Sequence, residues 1–409
     1  MCCHCHCSNV EAWRYSSGPG DEGERESENV TESETEQVPP LRGFTIGVTA
    51  HRRREELALM LERRGARVIT ASTMQLEPLA GDEALQQETI DCLSAPIDIM
   101  VATTGIGFRG WLEAADGWGY GEELRQRLQT AELVARGPKA RGAIRTAGFV
   151  EAWTPQSEAV GEVVERLLAR DLTGQRIVLQ LHGEPLPEVV SALTKAGAEV
   201  IPVGVYRWSD PSDTETVVRF IQTTLSGQLD SVVFTSAPAV VGLLKAACQE
   251  GLEDELVDAL RHQVLVACVG MICASPLMGR GVDVILPERA RLGSLVRAVT
   301  EEVPARLGRH LTFAGRNIEL RGEAIILDGD VIFVPPAPMA ILRELATRPG
   351  AVFSRNQLAS RLPGKESGGH AVEMAVTRLR LLLPIPGLVE TVVKRGYRLS
   401  CHPVLSEPA

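Results

Sequence analysis

The sequence predicts an α/β protein in which two parallel-sheet lobes enclose a cleft and a winged helix-turn-helix domain follows. Three observations carry this. From Phe44 onward, apolar strand-like runs alternate with amphipathic helical segments, the pattern of parallel sheets covered by helices. Second, the alternation echoes itself. Val101-Ala102-Thr103-Thr104-Gly105 resembles Val233-Phe234-Thr235-Ser236-Ala237, and Ala135-Arg136-Gly137-Pro138-Lys139 resembles Cys268-Val269-Gly270-Met271-Ile272. A duplicated strand–turn–helix unit explains both pairs and gives two sheets with a cleft between them. Third, Val352 to Leu399 holds a helix with Arg378 and Arg380, a Pro386-Gly387 break, and a basic hairpin turn at Lys394-Arg395-Gly396-Tyr397. A basic helix followed by a basic β-turn reads as a winged helix.

The 409 residues suffice for two or three domains. Residues 1–40 are acidic, polar and poor in large apolar side chains, and should be a disordered tail. The opening Cys-Cys-His-Cys-His-Cys run has metal-binding residue types, but ligands so closely spaced cannot easily close a tetrahedral zinc site, so no metal is expected. Residues 41–305 should form the two lobes, 306–402 the winged helix and 403–409 a short tail. No run of about 18 apolar residues suggests a membrane span, and no secretory signal pattern opens the chain. The scattered cysteines read as reduced thiols of a cytoplasmic protein.

Along the body, FTIGVTA is a strand and REELALMLERRG a helix ending at Gly65. Asp82 should open DEALQQETIDCLS as an N-cap. IDIMVATTG, ELVARG, RIVLQLHG, AEVIPVGVYRW, SVVFTSA and VLVACVG follow as strands, each leading through a turn toward a helix, and LGSLVRAVTEEV closes the body. In the last domain, LTFAG, IELRG, AIIL and VIFV are short strands. Ser354 should cap the second helix, and Val372, Val376, Leu379 and Leu383 should turn the third helix toward the core.

Charge divides the chain unevenly. The formal net charge is −11, yet residues 306–402 carry +6 while 1–40 carry −7. A basic block behind an acidic body points to double-stranded DNA as the partner of the last domain.

The turns at Thr103-Thr104 and Thr235-Ser236 lie at strand ends before helix starts, where N–H groups and hydroxyls make an anion-binding surface. Gly137 and Gly270 add two open turns, the first with Lys139 beside it. Four such turns around a cleft would hold a small molecule with several carboxylates; Thr and Ser would also stand there simply as helix caps. No phosphate-binding Gly-rich loop ending in Gly-Lys-Ser/Thr and no His-Glu-x-x-His pattern occurs. His182 ends a strand and could face the cleft.

The Phe234-Thr235-Ser236 turn, the Val269-Gly270 to Ala274 turn followed by Gly281, and the strand end Val205-Tyr206-Arg207 resemble uroporphyrinogen-III synthase over about residues 44–304. The resemblance implies two α/β domains joined by a two-stranded linker, and cyclisation of hydroxymethylbilane without a cofactor. It places Tyr206 as the tyrosine that assists loss of the substrate hydroxyl, a role a phenol can fill by giving a proton. A packed strand-end tyrosine is the other reading. Where the family often has Thr after each turn Gly, this chain has Ala140 and Ile272-Cys273.

Arg348-Pro349-Gly350, Ser354-Arg355, Arg378-Leu379-Arg380, Thr391-Val392 and Arg395-Gly396-Tyr397-Arg398 resemble the OmpR/PhoB-type winged helix across about 90 residues. The resemblance implies a third helix in the major groove, a wing at the minor groove and dimers on direct repeats. It carries Arg378 and Arg380 onto the recognition helix, with Arg380 as a phosphate contact, and Lys394 and Arg395 onto the wing. His370 and Thr377 stand where the family often has Arg, and Leu381 replaces a frequent basic residue. No receiver domain precedes it. Two functions follow as expectations. One is a transcription regulator, of a type found in actinobacteria, sensing a small anionic ligand such as a tetrapyrrole in nitrate/nitrite assimilation or tetrapyrrole metabolism. The other is a working uroporphyrinogen-III synthase with an appended DNA-binding domain.

Overall fold

The computed structural model describes residues 38–156, 159–362 and 369–403; the N-terminal Cys/His run and the tail beyond 403 lie outside them. Lobe 1 opens with β1 (Thr45–Val48), α1 (Arg54–Glu62) and β2 (Arg67–Thr70). The chain crosses through β3 (Gln75–Pro78) into lobe 2. That lobe holds α2 (Glu83–Leu93), β4 (Ile99–Ala102), α3 (Gly105–Gly117), α4 (Gly121–Thr130), β5 (Glu132–Ala135), α5 (Pro138–Thr146), α6 (Val160–Leu168), β6 (Arg176–Gln180), α7 (Pro187–Lys195) and β7 (Glu199–Val203). It returns along β8 (Tyr206–Ser209) and completes lobe 1 with α8 (Thr214–Leu225), β9 (Ser231–Phe234), α9 (Ala237–Gln249), α10 (Glu253–His262), β10 (Leu265–Cys268), α11 (Met271–Met278), β11 (Val284–Ile285) and α12 (Leu292–Leu307).

Both lobes are parallel sheets, in the order β11-β10-β9-β1-β2 for lobe 1 and β5-β4-β6-β7 for lobe 2. Helices cover both faces, so the central strands have no solvent side: β1, β4 and β9 are buried at every residue. The duplicated unit is real at the level of pairing, since β4 runs parallel beside β5 as β9 does beside β10. Lobe 1, however, is discontinuous. Its first two strands precede lobe 2 in sequence, and β1 is wedged between β2 and β9. The apolar run expected as one strand through Trp208 also divides. β7 ends at Val203, and Tyr206 begins β8, which pairs antiparallel with β3 to make the two-stranded link between the lobes.

The third domain starts two residues after α12. An antiparallel sheet of β12 (Arg309–Phe313), β13 (Arg316–Arg321), β14 (Ala324–Leu327), β15 (Asp330–Phe333) and, at its far edge, β18 (His402–Pro403) precedes and flanks three helices. These are α13 (Pro336–Leu345), α14 (Arg355–Ala359) and α15 (Gly369–Leu382), and the wing is the hairpin β16 (Val389–Val392) and β17 (Gly396–Leu399). Ser354 forms a full capping box with Gln357. Val372, Val376, Leu379 and Leu383 sit in the core beside Ile341 and Leu345. The boundary anticipated between residues 305 and 306 falls inside the last turn of α12.

The third domain is seated on the N-terminal end of the lobe 1 sheet through one tight contact. The turn at Gly322 meets the backbone at Gly43 so closely that a methyl on Gly322 would collide with the Gly43 carbonyl and the Asp230 carboxylate. The Gly43 carbonyl accepts the Glu323 amide at 2.7 Å. Asp230, just before β9, accepts the Thr45 amide at 2.8 Å and faces Arg343 of α13 at 3.4 Å. Arg343 also donates to the Gly322 carbonyl, and Arg67 pairs with Glu323 at 3.0 Å. Arg321 donates to the carbonyls of Pro39 and Pro40 at 3.1 and 3.2 Å.

Two outcomes follow from this joint. Gly322→Ala forces a methyl against a carbonyl and a carboxylate that cannot swing aside, so it should cost about 1–3 kcal/mol, read from the denaturant midpoint of the full chain. Burial pushes the Asp230 carboxyl up to about 6, against the opposing pull of Arg343 and the Thr45 amide. An acid whose folded value is raised contributes stability that is present below its ordinary value near 4 and lost as pH rises through 6. The stability of Asp230→Asn relative to wild type should therefore increase between pH 4 and pH 7. A flat difference across that range would show that Asp230 titrates normally.

Candidate ligand cleft and DNA-binding surface

In both lobes the strand C-termini deliver small polar turns. Thr104 caps α3 and accepts the Gly107 amide at 3.2 Å; Ser236 caps α9 and accepts the Ala239 amide at 3.4 Å. Gly137 and Gly270 cap α5 and α11 in extended conformations. The four turns thus match in local structure. They differ in what they offer. Thr103 is buried and spends its hydroxyl on the Gln180 carbonyl at 2.9 Å, so it rivets β4 to β6. Lys139 is exposed on the first turn of α5, and Thr235 is half-buried. In lobe 1, Met271 and Ile272 follow Gly270 and are 59% and 60% exposed, while Cys273 turns into the core. The second turn is therefore apolar at its rim.

Lobe 2 carries a denser polar cluster. Thr104 Oγ accepts from Gln180 Nε2 at 2.8 Å and lies 3.3 Å from the Tyr206 hydroxyl. The Gln180 orientation is supported by Leu181 O, 3.4 Å from the same nitrogen. A threonine hydroxyl has two lone pairs and one proton. Gly107 N–H, Gln180 Nε2 and the Tyr206 hydroxyl all converge on this one oxygen, the Tyr206 hydroxyl donating to it. Burial raises the Tyr206 pKa, while the Thr104 hydrogen bond and the charges of Arg136 and Arg52 pull it back. Tyr206 is 5% exposed and stacks edge-on against Trp208 at 5.7 Å, so it is both packed and hydrogen-bonded.

The strand-end neighbours complete the cluster. Burial lowers the pKa of His182, and Arg136 lowers it further, which keeps the imidazole neutral at pH 7. His182 Nδ1 and Gln180 Oε1 are buried without partners among the described residues. Arg52, exposed in the turn after β1, adds a lobe 1 positive charge that acts on Tyr206. Sequence reasoning named His182 only in passing and missed Arg52, Arg136 and Gln180. The available signal was their shared place at the ends of buried strands; Arg52 was masked by the His51-Arg52-Arg53-Arg54 run, which reads as a solvated helix start. Among the described residues no group of three His, Cys, Asp or Glu side chains could hold a metal ion.

On the third domain, α15 exposes His370, Met374, Thr377, Arg378 and Leu381 on the face opposite its buried residues. Glu373 is paired with Arg355 at 3.0 Å. The wing tip Val393-Lys394-Arg395 is exposed, with Lys394 in a left-handed conformation at φ 61°. Arg380 stands apart. Its guanidinium donates to Val389 O at 3.0 and 2.8 Å and to Thr391 Oγ at 2.9 Å, so it ties the recognition helix to the root of the wing. The phosphate contact expected of it would have to be made by a group already committed to three bonds.

Comparison with known proteins decides the lineage. The family model for uroporphyrinogen-III synthase HemD matches residues 55–297. The chain belongs to the uroporphyrinogen-III synthase family. A second model, for the C-terminal domain of transcriptional regulatory proteins, matches residues 329–399, so a family member here carries an OmpR/PhoB-type DNA-binding module. A Bacillus subtilis (strain 168) protein, YjjA, is 26% identical over 262 residues, covering 63% of this chain and 94% of that protein. A mutant form of the uroporphyrinogen III synthase of the extremely thermophilic bacterium Thermus thermophilus superposes with a TM-score of 0.53 at 27% identity, covering 63% of this chain and all of that one. The DNA-binding domain of Klebsiella pneumoniae RstA, in complex with RstA box, matches 22% of this chain and 96% of that domain at 28% identity, with a TM-score of 0.20. No helix among the described residues is long and apolar enough to cross a membrane.

The two helix arginines separate experimentally. Arg378→Ala removes an exposed cation and should leave the thermal midpoint unchanged while weakening DNA binding by about 1–3 kcal/mol. Arg380→Ala leaves the Val389 carbonyl without its partner and should lower stability by about 1–3 kcal/mol. Equal thermal midpoints for the two variants would contradict the assignment of Arg380 as a wing anchor.

Proposed function

We propose that this DNA-binding regulator senses a small anionic ligand, a tetrapyrrole or a related polycarboxylate, in the cleft of its synthase-like body. Binding then alters its action on DNA, as a homodimer on repeated sites, in nitrate/nitrite assimilation or tetrapyrrole metabolism. The observation that carries this reading is the polar cluster around Tyr206. The Tyr206 hydroxyl on Thr104, the buried His182 and Arg136 come together at strand ends of lobe 2, while in the Gly270 turn of lobe 1 Ile272 and Cys273 stand where the family often has a hydroxyl donor. Such a site retains recognition of carboxylates by charge and hydrogen bonds on a scaffold whose fused partner reads DNA. Full-length protein titrated with uroporphyrin III should show a raised thermal midpoint and at least a fivefold change in affinity for its selected DNA. Arg136→Ala should lose both effects. A ligand screen of porphyrins, nitrate and nitrite that moves neither quantity would end this reading.

The second reading is a bifunctional uroporphyrinogen-III synthase. It is favoured by one specific feature, the Tyr206 phenol held at a strand end by its hydrogen bond to Thr104 Oγ, a group able to give a proton to a leaving hydroxyl when substrate displaces that bond. Supplied with hydroxymethylbilane, an active enzyme yields the type III product and Tyr206→Phe lowers its rate. Formation of the type I isomer alone, as from spontaneous closure, excludes it.

A further inference from the structure

The outward face of the recognition helix is unusual in its centre. Viewed down α15, His370, Met374, Thr377 and Leu381 fall along one line at intervals of three and four residues, opposite the buried Val372, Val376 and Leu379. Arg378 lies to one side of that line and the paired Glu373 and anchored Arg380 to the other. Met374 is 59% exposed and Leu381 is 81% exposed. The Thr377 hydroxyl donates to the Glu373 carbonyl at 2.8 Å within the helix. Among the described residues of this face, the polar hydrogens open to a partner are those of Arg378 and His370. The middle of the surface that faces DNA is therefore apolar.

We infer that Met374 and Leu381 read thymine methyl groups in the major groove, so that the operator half-site is specified largely by apolar contact, with Arg378 supplying the main hydrogen-bonded base contact. The inference builds on the DNA-binding module and is independent of what the cleft binds. Its physical basis has two parts. The thymine C5 methyl is the one apolar feature a base pair shows in the major groove, and contact with it buries hydrocarbon on both sides. Opposite guanine O6 and N7 or the cytosine amino group, the same side chains would strip water from polar edges and return no hydrogen bond. Met374 and Leu381 thus favour thymine and disfavour G·C pairs in the same act. Continuity with Arg378 on the helix and Lys394 and Arg395 on the wing makes DNA the occupant of this face, because those cations would otherwise border an apolar patch with no anion to meet.

The test uses the full chain. Duplexes enriched from a random library by the wild-type protein are measured by fluorescence anisotropy at one fixed salt concentration. Each thymine is then replaced singly by deoxyuridine, which keeps the base pair and removes only the methyl. Replacement at the thymines facing Met374 and Leu381 should weaken binding by about fourfold per methyl. Met374→Ala should weaken binding to the thymine duplex by a similar factor and become insensitive to deoxyuridine at one of those positions. Leu381→Ala should do the same at the other, and Met374→Leu should retain the discrimination. Thermal midpoints within a degree or two of wild type show that the variants fold. An enriched motif whose affinity is unmoved by deoxyuridine overturns the inference while leaving the regulator reading intact. Alanine variants that keep full sensitivity to the methyl also overturn it, as does loss of self-association with unchanged base preference. Failure to enrich any motif removes sequence-specific recognition altogether, and this inference with it.

Discussion

The placement of the DNA-binding domain depends on one close approach, that of the Gly322 turn to the backbone at Gly43 above the Asp230 carboxylate. Glycine is required there because any side chain would occupy the space of a carbonyl and a carboxylate. The contact brings an amide to a carbonyl, Glu323 to Gly43, and Arg343 to the buried Asp230. A buried carboxylate is costly unless it is hydrogen-bonded and paired. Asp230 is held by a backbone amide from lobe 1 and a guanidinium from the third domain, so the third domain supplies the charge partner of a buried lobe 1 acid. The interface is therefore specific in register: sliding by one residue would break the amide pairing and strand the acid together.

The cleft follows a different logic, in which hydroxyl geometry rather than close packing governs. Thr104 serves at once as helix cap, acceptor for Gln180 and partner of Tyr206. That triple duty holds the Tyr206 hydroxyl in place through the bond it donates to Thr104 Oγ. A cap alone needs none of this: Ser236, the equivalent residue of lobe 1, bonds its own helix. Equal local structure at the four turns thus coexists with unequal chemistry.

The alternation of buried strands and helices was legible because parallel strands covered on both faces must be nearly apolar throughout, as IMVA and the Val-Val-Phe of β9 are. The caps at Asp82 and Ser354 were legible for the same local reason, an acceptor placed before unbonded amides. The core face of α15 followed from its spacing. What could not be read were relations set by chain crossing. The division of one apolar run at Gly204-Val205 depends on β8 leaving lobe 2 to pair with β3. The placement of β1 between β2 and β9 joins segments about 185 residues apart, as the contact of Thr45 with Asp230 shows. The capture of Arg380 by Val389 and Thr391 needs the wing folded back on the helix. Arg136 and Gln180 gain their setting only when β4, β5 and β6 are side by side. Each is a long-range adjacency, to which periodicity is blind.

Strands β1 and β9 lie side by side in the middle of the lobe 1 sheet, and each is four residues long. At one end are Thr45 and Asp230, in the seat of the DNA-binding domain; at the other are the turns that lead to Arg52 and to Thr235-Ser236. A strand advances about 3.3 Å per residue, so roughly 13 Å of fully hydrogen-bonded sheet separates the two ends. Such a strut is stiff along its length. Lobe 1 therefore carries the DNA-binding domain at one end of this strut and the cleft turns at the other, and the two-stranded link of β3 and β8 joins it to lobe 2. Tyr206 begins β8, so the residue at the centre of the polar cluster is also the first residue of the return strand of that link.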